Sequence, residues 1–244
     1  MMSKGVWLWK LQNCEGGKVT DIVAKAQRAG LTRIAVKIAD GRAAYNDTPK
    51  LRALSLACKL AGIDCWGWGW SYGESEERAR EEANMAGHRC LGLQLRGYVI
   101  DAEVQYETKT KKSEVWAAAH CERLRAILGS VPLGMTSYWS PRYHPAIPWH
   151  AFADYIDYWW PQVYWHKRDP VETLAASLAE LAPYGREVIP LGAADPGDGC
   201  PSATQLRAFC AGVDARTDLY HGADFYQWSA IPGANWTVIR DWKG

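Results

Sequence analysis

Two acidic side chains stand close together at the end of one apolar segment. The segment reads Gly97-Tyr-Val-Ile-Asp-Ala-Glu103, which is typical of a β-strand that ends in acid. In a strand, Asp101 and Glu103 project to the same face, with their Cβ atoms roughly 6.6 Å apart. Carboxylates this close repel each other, which raises one pKa and prepares that group to hold a proton at neutral pH. Such a pair predicts glycoside cleavage; the alternative is a strand end whose acids meet water or pair with lysines.

Strand-like and helix-like segments alternate along the whole sequence. The predicted strands are residues 5–11, 33–39, 63–71, 97–104, 131–138, 158–165, 187–193 and 224–229. The predicted helices that follow them are residues 18–30, 49–62, 74–87, 113–129, 149–156, 170–182, 203–211 and 236–242. Eight alternations predict an α/β fold, the (β/α)₈ TIM barrel, as a single domain of residues 1–244. A doubly wound open sheet is the alternative, but no G-x-G-x-x-G phosphate loop is present.

The C-terminal ends of the predicted strands carry the residues suited to a binding site. In a TIM barrel the chemistry takes place at these ends, and Asp101 and Glu103 lie at one of them as the predicted catalytic residues. Polar and aromatic side chains at the other ends indicate a groove for a hydroxylated, ring-shaped ligand. The predicted substrate-binding residues are Trp7, Asp40, Trp68, Trp70, Tyr138, Trp139, Gln162, Tyr164, Gln227 and Trp228.

One lysine lies inside an apolar strand. Lys37 interrupts the run from Ile34 to Ala39, and helices cover the outer face of a barrel strand. We therefore expect the ammonium group to point inward, where it needs a carboxylate partner. Asp101 is the predicted partner. The alternative is a lysine whose head reaches the solvent at the lower mouth of the barrel.

The overall charge gives no reason to expect a nucleic-acid or membrane partner. The net charge of the 244 residues is +1, so no strong field favours nucleic acid or an anionic membrane surface. No apolar run approaches the roughly 20 residues that span a bilayer. The N-terminal residues lack the apolar core of a signal peptide. We therefore expect a protein that is made in the cytoplasm and is not embedded in a membrane.

Cysteine and histidine usage predicts neither a disulfide framework nor a metal site. No C-x-x-C pair occurs, and the number of cysteines is odd. This pattern favours reduced, mostly buried thiols, at Cys14, Cys58, Cys65, Cys90, Cys121, Cys200 and Cys210. His144, His150 and His166 lack the spacing of metal ligands. We therefore predict no metal and no cofactor.

Several of these segments resemble glycoside hydrolase family 25, the lysozyme-type N-acetylmuramidases of bacteria and phage endolysins. Residues 33–41, Arg-Ile-Ala-Val-Lys-Ile-Ala-Asp-Gly, are similar to that family's second strand. Val99-Ile-Asp-Ala-Glu103 resembles its Leu-Asp-Val-Glu core, and residues 225–229, Phe-Tyr-Gln-Trp-Ser, resemble its closing Trp-Gln-Tyr-Ser. The resemblance implies that Glu103 is the general acid and that Asp101 stabilises the acetamido group of the substrate.

The sequence departs from the family 25 pattern on two strands. Gly5-Val-Trp7 has a tryptophan where that family carries an aspartate. Pro161-Gln-Val-Tyr164 is more similar to plant-type family 18 chitinases, in which Gln and Tyr flank the acetamido group. Both resemblances imply hydrolysis assisted by the substrate. The geometry favours the same mechanism, because two acids on one strand do not flank a glycosidic bond from opposite faces.

These observations predict a retaining glycosidase that cleaves a β-linked N-acetylhexosamine polymer, with peptidoglycan as the foremost substrate. We expect it to act on the cell wall as a phage lysin or a virion component. The first alternative is a non-catalytic carbohydrate-binding barrel of a virion or cell-wall protein, which Trp7 in place of an aspartate favours. The second is a structural domain without a ligand, which leaves the acidic and aromatic strand ends unexplained.

Overall fold

A computed structural model describes residues 3–107, 112–198, 202–216 and 222–244 of the chain. Cys200 therefore lies outside the described residues. The described strands all belong to one sheet. They are β1 (Ser3–Leu8), β2 (Arg33–Asp40), β3 (Ala43–Ala44), β4 (Asp64–Ser71), β5 (Tyr98–Ala102), β6 (Leu133–Tyr138), β7 (Tyr158–Val163), β8 (Glu187–Val188), β9 (Leu191–Ala193) and β10 (Gly222–Tyr226).

The sheet closes into the predicted eight-stranded parallel barrel. The strand β1 pairs in parallel with both β2 and β10, so the sheet has no open edge on the barrel path. The short strands β8 and β9 both pair with β7 and together form one barrel strand. Pro190 separates them, because proline has no N–H to donate to a ladder. The strand β3 is an antiparallel hairpin partner at the end of β2. The single-domain (β/α)₈ fold is confirmed, and the open-sheet alternative is wrong.

Helices follow the barrel strands and cover their outer face. They are α1 (Val19–Arg28), α2 (Thr48–Leu60), α3 (Glu76–Gly92), α4 (Lys112–Leu128), α5 (Trp149–Ala153), α6 (Pro170–Leu181), α7 (Ala203–Asp214) and α8 (Gly233–Asp241). Asp47 and Asp169 cap α2 and α6 by accepting hydrogen bonds from N–H groups of the first turn. Among the described residues, no helix combines the length and apolar composition needed to cross a membrane.

The prediction that the third helix ends at Gly87 is wrong, since α3 continues to Gly92. Gly87 lies where α3 packs against α4, and a Cβ atom at this position would meet Ile127 Cγ2 at 3.0 Å. This glycine therefore permits close helix packing and does not end the helix.

Tryptophan side chains fill the inside of the barrel. Along β4 the side chains alternate, so Trp66 and Trp68 point inward while Gly67 faces the outer layer, where a Cβ atom would meet Ile38 Cδ1 at 2.7 Å. Trp68 packs against Trp7 of β1 with ring centroids 5.4 Å apart. The interior is therefore a packed core below the upper mouth.

A buried carboxylate accepts hydrogen bonds from two indoles of this core. Asp224 of β10 is fully buried and accepts hydrogen bonds from the indole N–H groups of Trp7 and Trp160, each at 3.0 Å. Arg33, at the N-terminal end of β2, forms an ion pair with the same carboxylate at 2.6 Å. Its guanidinium also lies 5.5 Å from the ring centroid of Trp160. Asp224 is therefore the described acceptor of both indole N–H groups and the counter-ion of Arg33, and buried polar groups of this kind are costly without a partner.

The six described cysteines are buried. Burial raises the pKa of the Cys14 thiol and of the Cys90 thiol to about 12. A buried thiol with a raised pKa stays protonated and unreactive at neutral pH.

Replacing Asp224 with alanine is expected to lower the free energy of unfolding by about 3–5 kcal/mol, the usual cost of breaking a buried ion pair. The variant leaves Arg33 without its counter-ion and two indole N–H groups without an acceptor. Chemical denaturation followed by tryptophan fluorescence measures the change. Asp241→Ala is the matched control, because Asp241 pairs with Arg240 at the surface and should unfold at nearly the wild-type midpoint. An Asp224→Ala midpoint equal to that of the control would contradict the prediction.

Candidate active site

A cavity of about 710 Å³ opens at the C-terminal ends of the barrel strands. Ten of the twelve predicted site residues line it, namely Trp7, Trp68, Trp70, Asp101, Glu103, Tyr138, Trp139, Gln162, Tyr164 and Gln227. Trp7 and Trp68 are the buried floor, and the others form its walls. A second cavity, of about 730 Å³, lies between α2 and α3, and its one carboxylate, Glu81, is paired with Arg42. The acidic residues of the candidate site therefore belong to the cavity at the strand ends.

The two acids of this cavity contact each other. Asp101 is the penultimate residue of β5 and is only 4% exposed, while Glu103 lies just beyond the strand. A hydrogen bond joins the two carboxyl groups. The side-chain amide of Gln162, on β7, donates to Glu103 Oε1 at 2.6 Å and lies 3.5 Å from Asp101 Oδ1. One amide therefore holds both acids in place across the barrel mouth.

Burial makes both acids of this pair harder to ionise. Desolvation raises the pKa of Asp101 well above its usual range, and the neighbouring charge of Glu103 raises it further. Desolvation also raises the pKa of Glu103, while hydrogen bonds from Gln162 and Asp101 lower it. Burial and the neighbouring carboxyl group both act on Asp101 in the same direction, so of the two acids Asp101 has the stronger tendency to hold a proton. A proton-holding acid beside an ionised one, as the sequence predicts, agrees with the direction of these shifts and stays a prediction.

Lys37 points into the cavity, but its ion-pair partner is not the predicted one. Its ammonium group lies 3.5 Å from Asp40 Oδ1 and 5.2 Å from the ring centroid of Trp68. Residues three apart in a regular strand face opposite sides, but the register between β2 and β4 shifts between Lys37 and Ala39. This irregularity brings Asp40 to the lysine. The charge of Lys37 still acts on Asp101, whose pKa it lowers.

Two predicted substrate-binding residues lie outside the cavity lining. Asp40 accepts a hydrogen bond from the Tyr72 hydroxyl and pairs with Lys37, so it supports the rim. Trp228 is buried, donates to Glu15 Oε1 at 3.2 Å and packs against Trp236. The prediction placed Trp228 on a strand that extended to residue 229. In the structure β10 ends at Tyr226, and a short 3-10 helix follows it. Neither residue is therefore among those that line this cavity.

The sequence analysis missed side chains on the loops that follow the strands. The additional side chains of the cavity wall that bear on its chemistry are Trp9, Tyr143, His144, His166, Arg168 and Tyr226. Most of them lie in the two segments after β6 and β7, where strand periodicity gives no information about direction. Their one sequence signal is the density of aromatic and basic residues directly after a predicted strand end.

His144 connects this wall to the acids. Its Nδ1 atom is hydrogen-bonded to Glu107 Oε1, and its ring stacks on Tyr138 with centroids 3.6 Å apart. The charge of His144 lowers the pKa of Glu103. From the sequence, His144 was weighed only as a metal ligand, and its spacing did not fit that role. Among the described residues, no cluster of histidines, cysteines and acids could hold a metal ion.

No protein-family model matches this chain, and no curated protein matches its sequence. Solved structures share the fold at low sequence identity. A family 18 chitinase from Cycas revoluta in complex with allosamidin matches with a TM-score of 0.73 at 9% identity, covering 99% of this chain and 100% of that one. The spore cortex-lytic enzyme SleL of Bacillus megaterium matches with a TM-score of 0.68 at 8% identity, covering 99% of this chain and 74% of that one.

A third solved structure that matches is of a variant enzyme with two substituted acidic residues. It is an endo-β-N-acetylglucosaminidase from Cordyceps militaris, with a TM-score of 0.72 at 11% identity, covering 100% of this chain and 91% of that one. It was crystallised as a variant with an Asp-to-Asn and a Glu-to-Gln change two positions apart. At such low identity these matches show the TIM-barrel fold. They do not show the resemblance to family 25, and the family named for the Cycas revoluta enzyme is family 18.

Asp101→Asn is expected to change how stability depends on pH. The folded chain holds a proton on Asp101 that the unfolded chain releases above about pH 4, so this contribution to stability is lost as the pH rises toward the folded pKa. Asparagine does not titrate. As the pH rises from about 5 to about 8, the melting temperature of Asp101→Asn should therefore increase by about 2 °C or more relative to that of the wild type.

Asp64→Asn is the control for this comparison. Asp64 is the first residue of β4, at the opposite end of the barrel, and its carboxyl group is exposed. Its melting temperature should run parallel to that of the wild type across the same pH range. Parallel curves for Asp101→Asn as well would mean that Asp101 is ionised in the folded protein.

Proposed function

We propose that this protein is a retaining glycosidase that cleaves a β-linked N-acetylhexosamine polymer. The observation that carries the proposal is the close pair of Asp101 and Glu103 at the mouth of a barrel with an aromatic wall, where desolvation raises the pKa of both carboxyl groups. A protonated carboxyl group beside an ionised one supplies both the acid and the charge that glycoside cleavage needs. A structural domain without a ligand gives no reason to bury two carboxyl groups in contact, because burial of such groups is costly.

The arrangement of the two acids favours a nucleophile supplied by the substrate. Asp101 in β5 and Glu103 just beyond its end are two residues apart, so they approach a bound sugar from the same side. In the proposed mechanism the acetamido oxygen of the substrate attacks the anomeric carbon while Glu103 donates a proton to the glycosidic oxygen that leaves. Water then opens the resulting ring, and Glu103 accepts a proton from that water. The anomeric configuration is retained because the carbon is inverted twice.

Each neighbour of the acids has a role in this scheme. When the substrate binds, its acetamido N–H replaces Glu103 as the hydrogen-bond partner of Asp101, and the proton moves from Asp101 to Glu103. The ionised Asp101 then accepts a hydrogen bond from the N–H and stabilises the developing positive charge. Gln162, already within 2.6 Å of Glu103, orients the acid. Tyr164 lies further along the same wall. Trp70 offers an indole face to the sugar ring, as aromatic residues of carbohydrate sites do.

The structural matches support the same class of substrate. The changes in the crystallised Cordyceps militaris enzyme are two positions apart, which is the spacing of Asp101 and Glu103. Chitinase and endo-β-N-acetylglucosaminidase, the activities named for two of the matches, both act on N-acetylhexosamine linkages. SleL is named as a spore cortex-lytic enzyme. We therefore propose peptidoglycan as the polymer and a bacterial cell wall as the place of action, as for a phage lysin or virion component.

Glu103→Gln is expected to lower the rate of cleavage by about 10²-fold or more, because glutamine keeps the shape of the acid but has no proton to transfer. Asp101→Asn is expected to lower the rate as well, because the charge that stabilises the intermediate is removed. The assay measures new reducing ends released from peptidoglycan and from chitin oligosaccharides. Calorimetric affinity of Glu103→Gln for the oligosaccharide should remain near the wild-type value.

A binding module gives the opposite result in this assay. It predicts no cleavage by the wild type and comparable affinities in all three proteins. Equal inactivity of the wild type and Glu103→Gln on every N-acetylhexosamine polymer tested would therefore sink the proposal.

Trp70→Ala tests the aromatic wall. Trp70 is partly exposed in the cavity, so its removal should weaken oligosaccharide binding by about tenfold, the scale of one lost aromatic contact. Its melting temperature should fall by less than that of the matched control, Trp228→Ala. That control removes a buried indole outside the cavity, so it should cost about 3–5 kcal/mol of stability and leave affinity unchanged. The reverse pattern would mean that Trp70 belongs to the core.

A further inference from the structure

One cation of the cavity lining has no acidic partner within ion-pair distance among the described residues. Asp101 and Glu103 are the acidic residues of the described lining. Lys37 and Arg168 are the lysine and arginine of the described lining, and each carries a positive charge at neutral pH. The Lys37 charge is partly balanced by Asp40, 3.5 Å away. Arg168 has no carboxylate within 4.0 Å among the residues that the structure describes.

Aromatic rings hold the Arg168 guanidinium at the rim. It lies 5.2 Å from the ring centroid of Trp139 and 5.7 Å from that of Tyr143. Both rings belong to the loop after β6, while Arg168 follows β7. A guanidinium stacked on aromatic faces keeps its N–H edge free for a planar, bidentate acceptor. Carboxylates are such acceptors.

The barrel order places this cation on one side of the acids. The strand β5, which carries Asp101, lies two strands from β2 and two strands from β7 around the barrel. Lys37 on β2 and Arg168 after β7 therefore stand on opposite sides of the acid pair. A glycan that crosses the cavity over Glu103 would pass Arg168 on the β7 side.

We propose that Arg168 is a specificity-determining residue that binds a carboxylate carried by the glycan. The cleft thereby prefers an acidic N-acetylhexosamine polymer to a neutral one. This inference rests on the proposed function and names the substrate feature that the same site recognises. In peptidoglycan, the carboxylate belongs either to the lactyl ether on the sugar or to an attached peptide. The two sources share one chemistry, so the test separates them.

The test measures affinity in the Glu103→Gln background, in which bound oligosaccharide is not cleaved. The probes are a peptide-free tetrasaccharide of alternating N-acetylglucosamine and N-acetylmuramic acid, the same tetrasaccharide with its carboxyls converted to neutral methyl amides, a peptide-bearing form of the amidated sugar, and chitotetraose. Calorimetry compares Glu103→Gln with the double variants that add Arg168→Gln or Arg142→Gln.

Arg142→Gln is the matched control. The Arg142 guanidinium also stacks on Tyr143, at 5.1 Å from the ring centroid, but it is paired with Glu180 and does not line the cavity.

With Arg168 present, the acidic tetrasaccharide should bind about fivefold more tightly than its neutral amide, as expected for one exposed charge pair. Arg168→Gln should abolish that preference and leave the affinity for chitotetraose unchanged, whereas Arg142→Gln should keep the preference. Raising the salt from about 0.05 M to about 0.5 M should weaken the preference, because the interaction is screened. A preference seen only with the peptide-bearing probe would assign the carboxylate to the peptide.

Two results would overturn the inference, and they differ from each other. If Arg168→Gln weakens all probes equally, Arg168 only supports the aromatic wall, and the proposed glycosidase stands without this subsite. If no probe binds to any variant and the wild type cleaves none of them, the proposed function fails and the subsite fails with it.

Discussion

The closed barrel imposes a filling problem that shapes the rest of the molecule. Eight strands enclose a space that must be packed with side chains, because a void of that size forfeits the contacts that stabilise the core. This chain fills much of the space with indoles, which are large but carry an N–H group that needs an acceptor. The buried carboxylate of Asp224 accepts from Trp7 and Trp160, and Arg33 balances its charge. The indoles of the core are therefore packed together with a buried ion pair, whose carboxylate accepts hydrogen bonds from two of their N–H groups.

The packed core also sets the depth of the candidate site. Trp7 and Trp68 stack against each other and form the floor of the cavity. Water below the acids is excluded by these rings, so Asp101 is desolvated from beneath while Glu103 lies nearer the mouth. The difference in burial explains why the pKa of Asp101 is raised further above its usual range than that of Glu103. The packing of the fold and the protonation of its acids are thus two consequences of the same filled interior.

The fold was predictable because the alternation of strands and helices is a repeated, periodic signal. The alternation of side chains within β4 and β5 also placed Trp68, Trp70 and Asp101 on the inner face correctly. The errors occur where periodicity stops. Trp228 was assigned to a strand that ends two residues earlier, and the partner of Lys37 depends on a register shift that no sequence pattern announces. The loop residues of the cavity wall, such as Arg168, have directions that only the assembled structure gives.

The tryptophan at position 7 has a physical role that a carboxylate there would not fill. Its indole donates to Asp224 below and stacks on Trp68, so it belongs to the floor and to the core at once. An acid in its place would add a negative charge to a cavity that already holds two carboxyl groups, and each further like charge raises the pKa of a neighbouring acid. Here the nearby charge of Lys37 acts in the opposite direction, because it lowers the pKa of Asp101. Besides burial, the pKa of Asp101 is therefore set by two opposed charges, that of Glu103 and that of Lys37. The indole at position 7 contributes to the burial of the site without adding a third carboxylate to it.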